Sequence, residues 1–466
     1  MQAMSLQQLA TTVSGRLVGE NVHFNGLSTD TRSIQQGDLF VALQGENFDA
    51  NNFVTQAHDK GAIAALVSKD VAVDMPYVKV DDTLEALTVM ARAQREQLGI
   101  PLVAITGSNG KTSVKEMLAS ILGRSKQVLA TEGNLNNQIG VPLTLLKLTK
   151  EHDIAVIEMG ASRRGDIAHL CDIALPNVAI LNNVGMAHLD GFGTVEGVAK
   201  AKGEIISGLS ENGVAILNQE EPWLEQWLAL LGDRQHLSFG WSNKADVWAD
   251  IKSVKTGMIN GQFKTDFILN YQQEQLHIQL NLIGEHNVLN ALAAASAAIS
   301  LGEPLAKIKQ GLACLTAVKG RMQALKGLAG SVVINDCYNA NPKSFAAAMS
   351  CLKNIDQPVW LVLGDFAELG ADSASIHRQL GIEIFNSNVC RLYAVGEQMK
   401  NAVNAFNEDS ELSNKQAIHF PNKSTLVEHL ACEIEADVVI LVKGSRSQHL
   451  ERVVEKITLL EDSRCC

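Results

Sequence analysis

The chain has 466 residues, 46% of them hydrophobic and 19% charged, which supplies cores for several domains and excludes a mainly disordered chain. Its net charge of −12, from 39 basic and 51 acidic residues, argues against a nucleic-acid partner, which would call for a basic excess, and leaves room for a small polyanion in a local basic pocket. The eight cysteines form no C-x-x-C pair, no signal peptide is legible in Met1–Glu20, and no apolar run approaches ~18 residues, so a cytoplasmic protein with reduced thiols and no membrane insertion is expected.

Short apolar runs alternate with segments of helical period almost throughout, the pattern of parallel sheets covered by helices, and the expected fold class is α/β in three sections. Residues 1–97 carry strands at Leu39–Leu43, after a Gly37-Asp38 turn, and at Ala64–Val67, then a helix from about Leu84 to Leu98. Residues 98–316 open with a buried-type strand, Leu102–Thr106, followed by strands at Ile154–Ile157, Val178–Leu181 and Val214–Leu217. Residues 236–283 read as a small β portion with turns at Asn243-Lys244 and Asn260-Gly261. There Leu276, Ile278, Leu280 and Leu282 alternate as a half-buried strand should. An Ala-rich helix follows over about Val288–Ser300. Residues 317–466 place strands at Val332–Asn335, Pro358–Leu363, Arg391–Val395 and Val438–Val442, each followed by a helical segment.

The strand Leu102–Thr106 runs into Gly107-Ser108-Asn109-Gly110-Lys111-Thr112-Ser113, and Val114, Met117, Leu118, Ile121 and Leu122 then repeat with helical spacing. This strand, Gly-rich turn and helix make a P-loop-type phosphate site. The glycines let backbone N–H groups turn inward, the helix N-terminus and Lys111 supply positive charge, and the Thr112 hydroxyl is placed for Mg²⁺. The spacing is two residues shorter than the general pattern, and a plain strand–helix turn is the competing reading. Glu158, at the end of the next predicted strand, is a candidate Mg²⁺ ligand. His188 follows Val178–Leu181 and falls on the same rim, although a satisfied loop histidine reads equally well. Lys200 and Lys202 read, by themselves, as an exposed helix face.

Taken together, Thr106–Ser113, Glu158, His188, Lys200–Glu204, Gly284–Asn290, Gly320-Arg321 and Lys443–Arg446 resemble the Mur ligases, ATP-dependent amide-forming enzymes of peptidoglycan precursor synthesis, over essentially the whole chain. Gly133–Asn137, Tyr338–Pro342, Gly364–Gly370 and Val442–Ser447 resemble the branch of that family that adds D-alanyl-D-alanine to UDP-N-acetylmuramoyl-tripeptide. The resemblance implies an N-terminal domain (1–97) for the UDP end of the precursor, a central ATP domain (98–316), and a Rossmann-like C-terminal domain (317–466) closing on ATP and the dipeptide. It implies an acyl-phosphate reaction with ATP and Mg²⁺ in a cytoplasmic enzyme, here expected to be a monomer.

Residue by residue, the resemblance implies Lys111, Glu158, His188 and Lys202 as catalytic groups, with Thr112, Glu158 and His188 at the metals. In several relatives the lysine matching Lys202 is carbamylated. Gly107, Ser108, Asn109, Gly110, Lys111, Thr112, Ser113, Asn287, Asn290, Arg321 and Asp336 would hold ATP, with Asn287 also readable as a helix cap and Asn335 standing where many members have a second acid. Thr31, Arg32, Gly45, Asn134, Asn136, Asn137, Tyr338, Asn341, Lys443 and Arg446 would meet the precursor or dipeptide. A sibling ligase adding one amino acid such as meso-diaminopimelate is the nearest alternative, yet the Asp-Asn-Pro-Arg segment common in those siblings is missing. A folylpolyglutamate synthetase would not need the resemblance at residues 28–45 to a uridine-diphosphate pocket. A non-enzymatic nucleotide switch would not need Arg321, Asp336, Lys443 and Arg446.

Overall fold

The structure is a computed structural model and describes residues 1–45, 48–185, 189–259, 262–353, 355–408 and 414–459. Its central sheet runs, in spatial order, Val128–Ala130, Ile154–Glu158, Leu102–Thr106, Val178–Leu181, Val214–Asn218, Gln235–Gly240 and Val247–Trp248, all parallel. Val103 and Ile105 enter one core with the helices Lys111–Leu122, Glu285–Ser300 and Leu305–Ala313. Leu102 and Ala104 enter the opposite core with the helices Asp166–Ala174 and Val195–Ser207. Both faces are covered, which is why these strands read as unbroken apolar runs.

The β portion read from 236–283 is not a separate unit. Its first strands continue the parallel sheet, and only beyond Val247–Trp248 does the sheet turn antiparallel, through Gln262–Tyr271. Lys255–Ile259 and Glu274–Leu280 both pair with that strand. Ile278 and Leu280 are buried while Gln275 and His277 are exposed, as the alternation required. The Asn260-Gly261 turn lies outside the described residues.

The N-terminal sheet has the order Arg16–Val18, Tyr77–Lys79, Ala64–Val67, Asp38–Val41, Gly26–Ser28. Leu39 and Val41 point into the same core as Leu102, Ala104 and Ile157 of the central sheet, whereas Phe40 and Ala65 fill a smaller core of their own. The helix Thr83–Leu98 joins the two sheets. Asp82 caps it by accepting from the Leu84 and Glu85 N–H groups, and Gly99, at φ 61°, ends it in the left-handed conformation. Leu87 and Met90 lie fully inside the shared core. On the same helix the buried Gln94 amide donates to the Leu146 and Leu148 carbonyls, and the Arg95 guanidinium to the Ala174 carbonyl.

The C-terminal sheet has the order Gln323–Lys326, Val332–Asp336, Val439–Lys443, Val359–Gly364, Val389–Val395, Gln416–Phe420, parallel except for its first pair. The last described strand is inserted between two earlier ones. Asp336 and Lys443 sit side by side at the carboxyl ends of that strand and its neighbour, where open α/β sheets take ligands. Among the described residues no helix is long and apolar enough to cross a membrane.

Candidate active site

The central and C-terminal sections enclose a cleft of about 1130 Å³ lined by the loop 107–111, Glu158, Lys202, Asn287, Asn290, Arg321, Asp336, Tyr338 and Lys443 among others. Its floor is the phosphate loop. Gly110 begins the helix Lys111–Leu122 at φ 80°, and a Cβ there would come within 2.3 Å of Asn290 Oδ1. Only glycine fits, in conformation and in space. The helix has no side-chain cap, so its first N–H groups face the cleft unpaired, ready for an anion.

The loop is held by asparagines from the neighbouring strand ends. Ser108 N–H donates to the Asn183 carbonyl and Asn109 N–H to Asn183 Oδ1, each at 2.9 Å. Asn182 Nδ2 donates both to the Asn109 carbonyl and to Asn290 Oδ1 at 2.9 Å. Asn218 Nδ2 in turn donates to the Asn182 carbonyl. Asn287 and Asn290 are both buried, with Asn290 Nδ2 donating to Asn287 Oδ1 and Asn287 Nδ2 to the Ile283 carbonyl. The helix starts at Glu285 behind Gly284, so Asn287 stands in its first turn and is not its cap.

Glu158 is 2% exposed, an expensive place for a carboxylate without partners. It accepts from Thr112 Oγ1 and from Asn136 Nδ2, each at 2.8 Å. Across the cleft Arg321 Nη2 donates to Thr112 Oγ1 at 2.9 Å, while Arg321 Nε is buried without a partner. A hydroxyl and a carboxylate side by side are hard oxygen donors, and this pair fits Mg²⁺. His188 lies outside the described residues.

Lys111 Nζ donates to the Gly107 carbonyl at 2.8 Å, and burial lowers its pKa, with Glu158 pulling it back up and Arg321 pushing it further down. Lys200 pairs with Glu196 on the exposed face of its helix, as that motif suggested. Lys202, two residues on, faces inward at 2% exposure, and burial, then the nearby Lys111 charge, push its pKa well below the usual lysine value. Nothing in the Ala-Lys-Ala-Lys spacing separates the two lysines; the direction of the helix does. Glu204 caps the neighbouring helix by accepting from the Gly165 and Ala168 N–H groups.

The opposite wall comes from the C-terminal section. The Arg321 guanidinium lies 4.2 Å from the centre of the Tyr338 ring, with Arg446 at 6.0 Å from it. Lys443, 2% exposed, pairs with Asp336 at 2.6 Å and donates to the Asn339 carbonyl, so this lysine and this acid hold one another at the strand ends. Asp336 also accepts from the Met322 N–H. Asn341 caps the helix Pro342–Leu352, and its Nδ2 donates to Asn109 Oδ1.

Comparison with known proteins gives the same architecture a family. The Mur ligase middle domain matches residues 105–298, the Mur ligase glutamate ligase domain residues 320–446, and the Mur ligase family catalytic domain residues 23–123. The chain is 42% identical over 468 aligned positions, all of both chains, to the UDP-N-acetylmuramoyl-tripeptide–D-alanyl-D-alanine ligase of Escherichia coli K12. This chain belongs to the Mur ligase family. Among solved structures it is similar to MurF from Acinetobacter baumannii (TM-score 0.88, 33% identity, 98% of each chain). It is also similar to MurF ligase from Thermotoga maritima in complex with ADP (TM-score 0.81, 29% identity, 93% of this chain and 96% of that one). The fold is the three-domain Mur ligase fold.

Not every anticipated residue of this Mur ligase reaches the cleft. Thr31, Arg32 and Gly45 do not line it. Arg32 is paired with Asp30 on the surface, Thr31 Oγ1 donates to Gln56 Oε1, and Gly45 sits in the two-residue strand Gln44–Gly45. Asn134, Asn136 and Asn137 do line it, but Asn136 already serves Glu158, and Asn137 Oδ1 accepts from the Ile139 and Gly140 N–H groups at the start of a helix. Asn182, Asn183 and Asn218 escaped the sequence reading. Their one signal was position, at or just beyond the ends of apolar strands.

Proposed function

We propose that this Mur ligase is an ATP-dependent ligase joining D-alanyl-D-alanine to UDP-N-acetylmuramoyl-tripeptide, acting as a cytoplasmic monomer with Mg²⁺ in peptidoglycan precursor synthesis. The observation that carries the reading is the set of contacts at Thr112. This loop hydroxyl bonds Glu158 on one side and receives Arg321 of the C-terminal section on the other, so two sections converge where the phosphates would lie. Full-length similarity to ligases named for this reaction supplies the substrates. Residues 1–97 take the UDP end, 98–316 the nucleotide, and 317–466 close on the nucleotide and the dipeptide.

The precursor carboxylate attacks the γ-phosphorus of ATP, ADP leaves, and an acyl phosphate results. The dipeptide amine then attacks the acyl carbon and phosphate departs. The difficulty lies in bringing an anion to a polyanion, so the enzyme's work is positioning and neutralising charge. The uncapped N–H groups of the helix Lys111–Leu122, Lys111 and Arg321 supply that charge. Thr112 and Glu158 are the groups to hold Mg²⁺, whose charge offsets the repulsion between carboxylate and phosphate. Asn287 and Asn290, which line the cleft, would meet the base, and Asp336, paired with Lys443, the ribose. Burial, and then the nearby Lys111 charge, favour the neutral amine of Lys202, the form that adds CO₂ to give a carbamate and a proton.

The test is phosphate release and ligation followed by mass detection over a substrate panel. Release that requires both UDP-tripeptide and D-alanyl-D-alanine, with a product heavier by the dipeptide, is expected. Equal release with either omitted, or preference for a single amino acid, overturns the reading.

A further inference from the structure

The phosphate loop is gripped a second time, from the C-terminal section, by a residue that no motif marks. Lys343 stands in the first turn of the helix Pro342–Leu352, two residues after Asn341. Its Nζ donates to the Val184 carbonyl at 2.6 Å and lies 3.4 Å from Glu221 Oε1. Glu221, just beyond the strand Val214–Asn218, keeps only 7% of its side chain exposed, and the Val184 N–H bonds its carboxylate. Burial raises the Glu221 pKa while Lys343 and that N–H oppose the rise, so the ammonium offsets the cost of keeping a carboxylate there.

Val184 lies between two residues that are hydrogen-bonded to the phosphate loop. The next residue, Gly185, donates its N–H to Ser108 Oγ at 2.9 Å and accepts from the same hydroxyl. The preceding residue, Asn183, accepts from the N–H groups of Ser108 and Asn109. Asn341 meanwhile donates to Asn109 Oδ1 at 2.9 Å. One short segment, 341–343, therefore holds the loop through Asn109 and through the strand end behind Ser108. Both links exist only while the C-terminal section is closed on the central one.

We propose that Lys343, seated on Glu221 and the Val184 carbonyl, is a positioning residue that couples closure of the C-terminal section to the shape of the phosphate loop, and so sets nucleotide affinity. A nucleotide touching both sections binds the closed form. Its apparent affinity falls in proportion as that form becomes less populated. By linkage the nucleotide must favour closure to the same degree. The precursor's UDP end falls outside this coupling, because the N-terminal section shares its core with the central sheet whatever the C-terminal section does. The inference rests on the ATP-ligase reading above.

The experiment compares wild type with Lys343→Met, Lys343→Arg and Glu221→Gln by calorimetry, using β,γ-imido-ATP with Mg²⁺ and, separately, UDP-tripeptide, and by small-angle scattering. For Lys343→Met the expected result is a Kd for the nucleotide raised on the order of 5-fold or more. The Kd for UDP-tripeptide should stay unchanged and the unliganded radius of gyration should increase. In ligation, KM for ATP rises more than kcat falls, and Lys343→Arg restores most of the affinity. Glu221→Gln, which removes the negative charge beside Lys343 but keeps an acceptor oxygen, gives a smaller shift in the same direction. Unchanged nucleotide affinity in Lys343→Met, or an equal loss for both ligands, overturns the coupling. Absence of nucleotide binding by the wild type would instead overturn the ligase reading.

Discussion

Where the N-terminal section meets the central sheet, Leu39, Val41, Leu87 and Met90 share one buried core with Leu102, Ala104, Ile157 and Leu170. Where the C-terminal section meets it, the ties are hydrogen bonds and an ion pair: Arg321 to Thr112, Asn341 to Asn109, Lys343 to Val184 and Glu221. Among the described residues, Ile283 is the one buried apolar residue of the central section in the C-terminal core. Close-packed apolar contact is dense and cannot be parted without exposing it to water, whereas polar contacts at a cleft are replaced by bonds to water at a modest net cost. The first junction therefore behaves as one body. The second can open and close, which is what a reaction needs if it admits a nucleotide and a dipeptide and then excludes water.

Four variants or measurements break or sharpen this contrast, the largest effect first. Arg321→Ala removes the guanidinium that reaches Thr112 across the polar junction. It should cost about 10²-fold or more in ligation rate with little change in thermal midpoint, as read by coupled phosphate release and calorimetry. A matching fall in midpoint would mean that Arg321 carries structure.

Met90→Ala acts on the fused junction. It should cost about 2–5 kcal/mol in denaturant unfolding, with the N-terminal and central sections lost together. Separate transitions for those two sections would refute the single body.

Lys202→Met tests the buried amine. The folded-state pKa lies below the unfolded one, so the unfolded chain binds the extra proton and the wild type is penalised at neutral pH, the penalty fading as pH rises toward the ordinary lysine value. The variant should melt higher than unliganded wild type at pH 7, the difference shrinking toward alkaline pH, while its ligation rate is severely reduced and not rescued by bicarbonate. A near-normal rate would remove Lys202 from the mechanism. The smallest signal is compaction. A non-hydrolysable ATP analogue with UDP-tripeptide should lower the radius of gyration by small-angle scattering, and no change would count against closure.

The sequence by itself determined the elements whose burial is complete. Leu102–Thr106 and Val178–Leu181 were legible to the residue, because a strand covered on both faces must be apolar throughout. The turn 107–110 was legible because Gly107 and Gly110 separate an apolar strand from a helical period, and Gly110 does take a left-handed φ of 80°. Arg16–Val18 and Gly26–Ser28 were not, since three residues carry too little pattern to declare a period.

Only the tertiary structure decided the rest. It separated Lys202 from Lys200 by the facing of one helix, paired Lys443 with Asp336 by inserting the last strand beside Val332–Asp336, and placed Lys343 on Glu221 across 122 positions of chain. It also fused one junction and left the other polar. Local sequence fixes what a residue can do, but which residue it does it with depends on contacts between elements far apart in the chain, and no spacing within a segment encodes them.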